Sequence, residues 1–157
     1  MGLKSLLSLH FARQIVKNNN KWKKNAVKVQ NTVLLSLINQ AKNTKFGKDH
    51  NFSEITNYSD WKKNVPVRDY EELKVYVKEI IEGKKDVLWP GRPIYFCKTS
   101  GTTSGTKYIP ISKESMPHHI TAARDAILSY IAETKKTSIV NGKMIFLQGS
   151  PELSKTG

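Results

Sequence analysis

Cysteine is almost missing from this chain, with Cys97 the only one in 157 residues. That excludes an internal disulfide framework and a cysteine-built zinc cage, and it fits a reducing, cytoplasmic setting. Long apolar runs are missing as well: none approaches the roughly 18–20 residues that a helix needs to cross a bilayer, so no membrane span is expected. Acidic residues are missing from the first 48 positions, which hold ten Lys and Arg and carry +10 of the net +13. Residues 49–157 are near balance, with 16 basic and 13 acidic side chains. The basic character therefore belongs to the N-terminal segment. It reads as a solvated helix face, as a surface for nucleic acid or an anionic membrane, or as a transit peptide, against which stands its single arginine, Arg13. At 38% apolar and 25% charged residues the chain as a whole has the composition of a globular protein rather than a disordered one.

Periodicity places helices first. Leu3, Leu6, Leu7, His10, Phe11 and Val16 follow helical spacing, and Asn18-Asn19-Asn20 is expected to interrupt it. A second helix is expected over Trp22–Ala41, with Val27, Val33, Leu34, Leu37, Ile38 and Ala41 as a core stripe. Lys45 to Lys48 reads as a turn, and Ser59-Asp60 as the cap of a short helix. Asp69 and Glu72 have capping-box spacing at the head of the next helix, and Gly83 sits where a left-handed C-cap belongs. After the turn Trp89–Pro93 the pattern changes. Ile94–Cys97, Lys107–Ile111 and Met144–Leu147 are β-prone, and Lys113–Thr134 is a helix with Ile120, Ala123, Ile127, Tyr130 and Ile131 on one side. Pro110 lacks an amide donor and demands an edge or a bulge. A buried strand position is expected for Cys97. His118 and His119 point about 100° apart on a helix, so no metal site is expected. A β-α-β unit has only begun at Gly157, the pattern of a piece of a larger α/β sheet.

The chemistry is concentrated in Thr99-Ser100-Gly101-Thr102-Thr103-Ser104-Gly105-Thr106-Lys107. Glycines let a backbone approach a ligand closely, successive amides can form an anion nest, and a lysine adds a compact charge for phosphate oxygens. The loop is no Walker A motif, because three residues rather than four separate Gly101 from Gly105 and Thr106 precedes Lys107. Composition alone also admits a plain surface hairpin loop.

The string from Lys98 to Ile111 resembles the first ATP-binding motif of the adenylate-forming superfamily. More narrowly it is similar to the auxin-responsive acyl acid amido synthetases of plants and their bacterial relatives, in a form one residue shorter than many family loops. Thr44–Lys48, Val65–Leu73 and Trp89-Pro90-Gly91 resemble further stretches of that family, in order. The resemblance implies an α/β fold in which basic N-terminal helices (1–48) lead into the start of the ATP-binding large-domain sheet (49–157), with the C-terminal domain absent. It implies Mg·ATP-dependent adenylation of a carboxylic acid, then transfer of the acyl group to an amine, usually an amino acid. Thr99, Ser100, Gly101, Thr102, Thr103, Ser104, Gly105 and Lys107 would hold the ATP phosphates, with Lys107 stabilising the departing charge. Ala123, Arg124 and Ile127 would line the acyl pocket, although an ordinary core face with a surface arginine is the plainer reading of that helix. The implied partners are a small carboxylic acid and an amine or amino acid, with no nucleic acid. An acyl-CoA-type ligase, an inactive fragment and a basic anion-binding module are the alternatives.

Overall fold

The computed structural model describes residues 3–99, 105–143 and 145. These form six α-helices, two 3-10 turns and one two-stranded antiparallel sheet. They group into two compact units: residues 3–26 with 117–143, and residues 27–116. The β-prone run Met144–Leu147 lies outside the described residues, Ile145 excepted. Among the described residues no helix is long and apolar enough to cross a membrane.

The first unit is built on α1 (Leu3–Lys24) and α6 (Met116–Thr134). The expected interruption at Asn18–Asn20 does not occur: α1 runs through it, and the break falls at Asn25. Asparagine is a mediocre helix former rather than a breaker, and here Asn19 Oδ1 accepts from Trp22 Nε1 at 3.1 Å. At Asn25 the backbone N–H reaches back only to Trp22 O, at 3.0 Å, the tightened turn of a helix end. Ala12 and Ile131 are fully buried, and Asn141 Nδ2 donates to Ser5 Oγ at 3.4 Å. Arg13, Lys17, Lys21 and Lys24 line one groove with Val16 and Ala132.

The second unit carries the larger core. Of the expected α2 stripe, only the last two turns are covered. In α2 (Ala26–Ala41), Ile38 and Ala41 pack on Phe52 and Ile55, while Val27, Val33 and Leu37 stay exposed. The expected turn at Lys45–Lys48 is a short helix, α3 (Lys45–Asp49), capped by Thr44. Thr44 Oγ1 accepts from Gly47 N at 3.0 Å and donates to Ala41 O at 2.7 Å. The next two helix-start amides find partners outside the helix, Lys45 N on Asp86 O (2.8 Å) and Phe46 N on Val87 O (2.9 Å), so α3 is stitched to the segment before the hairpin. In α4 (Tyr58–Asn64) the cap is Asn57 rather than Ser59-Asp60. Asp60 instead turns back, its Oδ2 accepting from Thr56 N, Thr56 Oγ1 and Asn57 Nδ2 at 2.8–2.9 Å.

Helix α5 (Tyr70–Ile81) behaves as its sequence predicts. Asp69 and Glu72 form the reciprocal capping box, both bonds 3.0 Å. At the other end Gly83 adopts φ +90°, and Gly83 N to Ile80 O and Lys84 N to Glu79 O, both 3.0 Å, make a Schellman closure. Tyr76 and Ile80 pack with Val87 in a second cluster. Glu79 binds Lys45, and Lys84 Nζ lies 3.3 Å from its other oxygen. The Lys45 hydrogen bond, opposed by partial burial and assisted by Lys84, holds the Glu79 carboxyl below its usual range, and Glu79 in turn raises Lys45. A depressed carboxylate contributes stability above its unfolded pKa and loses it as pH falls; a raised lysine contributes below about 10.5 and loses it as pH rises further. Glu79→Gln is therefore expected to flatten both limbs of a stability–pH curve, below about pH 4.5 and above about 10.5. Unchanged limbs in pH-dependent urea unfolding would show the triad to be inert.

Candidate functional site

The hairpin that carries the Gly/Ser/Thr loop is made by β1 (Tyr95–Lys98) and β2 (Tyr108–Ile111), antiparallel, with Tyr95 opposite Ile111 and Lys98 opposite Tyr108. Thr99 N donates to Lys107 O at 3.0 Å and closes the root of the loop. Counting by twos from Lys107, the backbone groups of Ile109 and Ile111 face β1, and those of Tyr108 and Pro110 face away. Pro110 thus sits where no ladder donor is needed. Cys97, expected to be buried, is exposed on β1, because Phe96 is the strand residue that turns toward the Tyr76–Ile80 cluster.

The root of the loop brings several of the expected residues together. Ser100, Gly101, Thr102, Thr103 and Ser104 lie outside the described residues. Thr99 and Gly105 to Lys107 are described. Gly105 has φ +77°, a left-handed conformation that glycine adopts readily, and no atom of the described residues lies within 4 Å of where its side chain would begin. Lys107 is half-buried, with its ammonium 5.5 Å from the centre of the Tyr70 ring. On the opposite strand the ammonium of Lys98 lies 5.6 Å from the Tyr108 ring. Two cations therefore flank the loop, one at each root, each resting on a tyrosine. The Tyr70 hydroxyl accepts from Tyr108 N at 2.7 Å and lies 3.4 Å from Tyr108 O. Sequence reasoning did not single out Lys98 or Tyr70 as site residues; Tyr70 is 38 positions from its partner and no periodicity connects the two.

The residues expected in an acyl pocket are all on α6. Ala123 and Arg124 are exposed and Ile127 is half-buried. Arg124 pairs with its neighbour Asp125, Nε to Oδ1 at 2.9 Å. A second concavity, of about 220 Å³, adjoins the end of the hairpin away from the loop and is lined by Trp89–Pro93, Pro110, Ser112 and Ser115. Near it Trp89 Nε1 donates to Glu114 Oε2 at 3.1 Å. Among the described residues, no three His, Cys, Asp or Glu side chains converge as a metal site.

The profile of the GH3 family N-terminal domain matches residues 15–157. The chain belongs to the GH3 family. Among GH3 relatives, the indole-3-acetic acid-amido synthetase GH3.15 of Arabidopsis thaliana is 31% identical over 98 residues, 61% of this chain and 16% of that protein. The jasmonoyl-L-amino acid synthetase JAR6 of Nicotiana attenuata is 26% identical over 137 residues, 85% of this chain and 23% of that one. The solved structure of AtGH3.15 acyl acid amido synthetase in complex with 2,4-DB superposes with a TM-score of 0.69 at 22% identity, over 76% of this chain and 21% of that chain. The described elements thus share the fold of a GH3 N-terminal region, and the chain spans less than a quarter of the length of these relatives. The GH3 match takes in the whole hairpin, its loop and the α5 platform beneath it.

Proposed function

We propose that this chain supplies the phosphate-holding hairpin of an ATP-dependent acyl acid amido synthetase, an enzyme that adenylates a carboxylic acid and passes the acyl group to an amine such as an amino acid. The carrying observation is the Thr99–Lys107 loop on a β-hairpin, with a cation at each root and a left-handed glycine beside Lys107. On this reading residues 49–157 begin the ATP-binding large domain and residues 1–48 are the basic helices before it. The relatives named as indole-3-acetic acid-amido and jasmonoyl-amino acid synthetases point to an organic acid and an amino acid as the substrates.

The described residues fit a nucleotide polyphosphate. Gly105 gives the backbone a left-handed turn in which a ligand can come close. Among the described residues the ammonium groups of Lys98 and Lys107 rest on tyrosine rings rather than in ion pairs, so they are available to phosphate oxygens. Mg·ATP supplies the activated phosphorus and a good leaving group; Mg²⁺ usually keeps its waters and the phosphates as its main ligands. The chain's part is to hold and orient. In this scheme Thr99 donates through its hydroxyl, its amide being held by Lys107 O. Ser100, Gly101, Thr102, Thr103 and Ser104 supply backbone and hydroxyl donors, and Lys107 offsets the charge that builds on the departing pyrophosphate. Ala123, Arg124 and Ile127 on α6 are proposed to meet the acid, with Arg124 exchanging Asp125 for the substrate carboxylate.

The test separates phosphate from adenosine recognition. Lys107→Met is expected to weaken Mg·ATP binding about tenfold, the scale of one charge-assisted hydrogen bond, while AMP binding changes less than about twofold. Acid-dependent pyrophosphate exchange should fall in parallel. ATP affinity equal to that of the unaltered protein, or no ATP binding at all, would overturn the proposal.

A further inference from the structure

We propose that Tyr70 is a positioning residue for Lys107, acting on the cation through its ring and on the backbone that carries it through its hydroxyl. The inference rests on the nucleotide reading of the loop and adds a residue outside it. Three observations converge on one side chain. The Tyr70 ring lies under the Lys107 ammonium at 5.5 Å. Its hydroxyl accepts from the N–H of Tyr108, the residue that directly follows Lys107, at 2.7 Å. The tyrosine itself is the first residue of α5, where the Asp69–Glu72 capping box fixes the helix start.

Each contact restrains a different freedom. A lysine on a half-open loop root has four rotatable bonds and no intrinsic preference for the loop side. A ring face within about 6 Å of the ammonium favours one region of that space through the ring quadrupole. The hydroxyl acts at the other end of the side chain. Tyr108 N–H faces away from β1, so the ladder does not hold it, and Tyr70 is the group that does. That amide shares its peptide plane with Lys107 O, which Thr99 N holds from the β1 side at 3.0 Å. The Tyr70 hydroxyl thus secures the opposite edge of the plane and, with Thr99, the direction in which the Lys107 side chain leaves the strand. The helix end thereby becomes a stand for the cation. A positioning role for Tyr70 requires that its effect on ligand binding pass through Lys107.

Two variants divide the two contacts. Tyr70→Phe keeps the ring and loses the hydroxyl; Tyr70→Leu loses both. Calorimetric titration of the full chain with Mg·ATP and with AMP would be run on both, on Lys107→Met, and on Tyr70→Leu combined with Lys107→Met. Tyr70→Leu is expected to weaken ATP roughly threefold to fivefold, the scale of a partly exposed cation–π contact, with AMP unaffected. In the Lys107→Met background the same change should cost ATP less than about twofold. Equal losses in the two backgrounds, or an AMP loss as large as the ATP loss, would reduce Tyr70 to general structural support and overturn the inference.

A ligand-free readout judges the geometry even if ATP does not bind and the nucleotide reading fails. NMR should show the Lys107 ε-methylene protons shifted upfield by the ring in the unaltered protein and in Tyr70→Phe, and unshifted in Tyr70→Leu. The Tyr108 amide should exchange with solvent faster in Tyr70→Phe, which can be checked for folding by its unchanged remaining amides. Absence of the ring shift in the unaltered protein, or a Tyr108 amide indifferent to the hydroxyl, would overturn the positioning role.

Discussion

Phe46→Ala is expected to cost the 27–116 unit about 3 kcal/mol, the low end of the range for removing an aromatic ring from a core. The ring is only half-buried, which sets the low end, but its contacts are unusually rich. It stacks on His50 at 4.0 Å between centroids, and meets Tyr76 edge-on at 5.2 Å and Phe52 at 5.8 Å. The Arg68 guanidinium lies 6.0 Å from its centre. More important is where it sits: Phe46 packs against both hydrophobic clusters, the one under α2 and the one under α5. Truncation therefore removes a shared wall, and the two clusters are expected to lose cooperativity as well as stability. Urea unfolding followed by the fluorescence of Trp61 and Trp89, both packed in the first cluster, should show the midpoint fall and the slope decrease. A loss below about 1 kcal/mol with an unchanged slope would mean that the clusters hold together without it.

Gly47→Ala is expected to destabilise by about 3 kcal/mol, against the sign that helix propensity predicts. Inside a helix alanine is favoured over glycine by about 1 kcal/mol. At Gly47 the added carbon would run into the carbonyl oxygen of Ala41 and would lie 3.0 Å from both the Ala41 carbonyl carbon and Lys42 Cα. These are backbone atoms, so no rotamer change relieves the clash. The Ala41 carbonyl already accepts from Thr44 N at 3.0 Å and Thr44 Oγ1 at 2.7 Å, and pushing it away pulls on the α3 cap. Overpacking of about 1–3 kcal/mol and a weakened cap of about 1 kcal/mol add to the estimate. Gly142→Ala is the control: no atom of the described residues lies within 4 Å of its added carbon, and a change within about 0.5 kcal/mol is expected. If thermal unfolding shows Gly47→Ala neutral or stabilising, the close approach of α3 to the end of α2 is wrong.

Local signals in the sequence were the ones that read true. The Asp69/Glu72 capping box, the Gly83 closure and the turn around Gly91 each depend on residues within a few positions of one another, and each is present. The hairpin strands were legible from β-prone runs on either side of a turn-rich stretch, and the family resemblance from the loop they hold. What failed depended on distant partners or on near-degenerate choices. Asn25 rather than Asn18–Asn20 ends α1 because several asparagines compete and propensity separates them weakly. Asn57 takes the α4 cap because Asp60 is engaged by Thr56 and Asn57. The helix at Lys45–Asp49 exists because Asp86 and Val87 satisfy its first amides, which no local pattern reports. The proposed site divides in the same way: Lys107 is proposed from its motif, whereas the contact of Tyr70 with it appears only where α5 and β2 lie side by side.

Pro110 has a further consequence for the loop. A hairpin can misalign by one residue, and such a slip turns every inward-facing backbone group outward and every outward one inward. In the observed pairing Pro110 lies opposite Phe96 with its nitrogen turned away from β1. In the slipped pairing that nitrogen would face the neighbouring strand with no hydrogen to give, leaving a carbonyl unmatched. The misaligned hairpin is thus penalised by roughly one hydrogen bond, about 1 kcal/mol, before any side chain is considered. Since the stem cannot gain or shed a residue cheaply, the number of residues spanning Thr99 to Lys107 is fixed by a proline three positions beyond the lysine. The loop and its stem keep separate lengths.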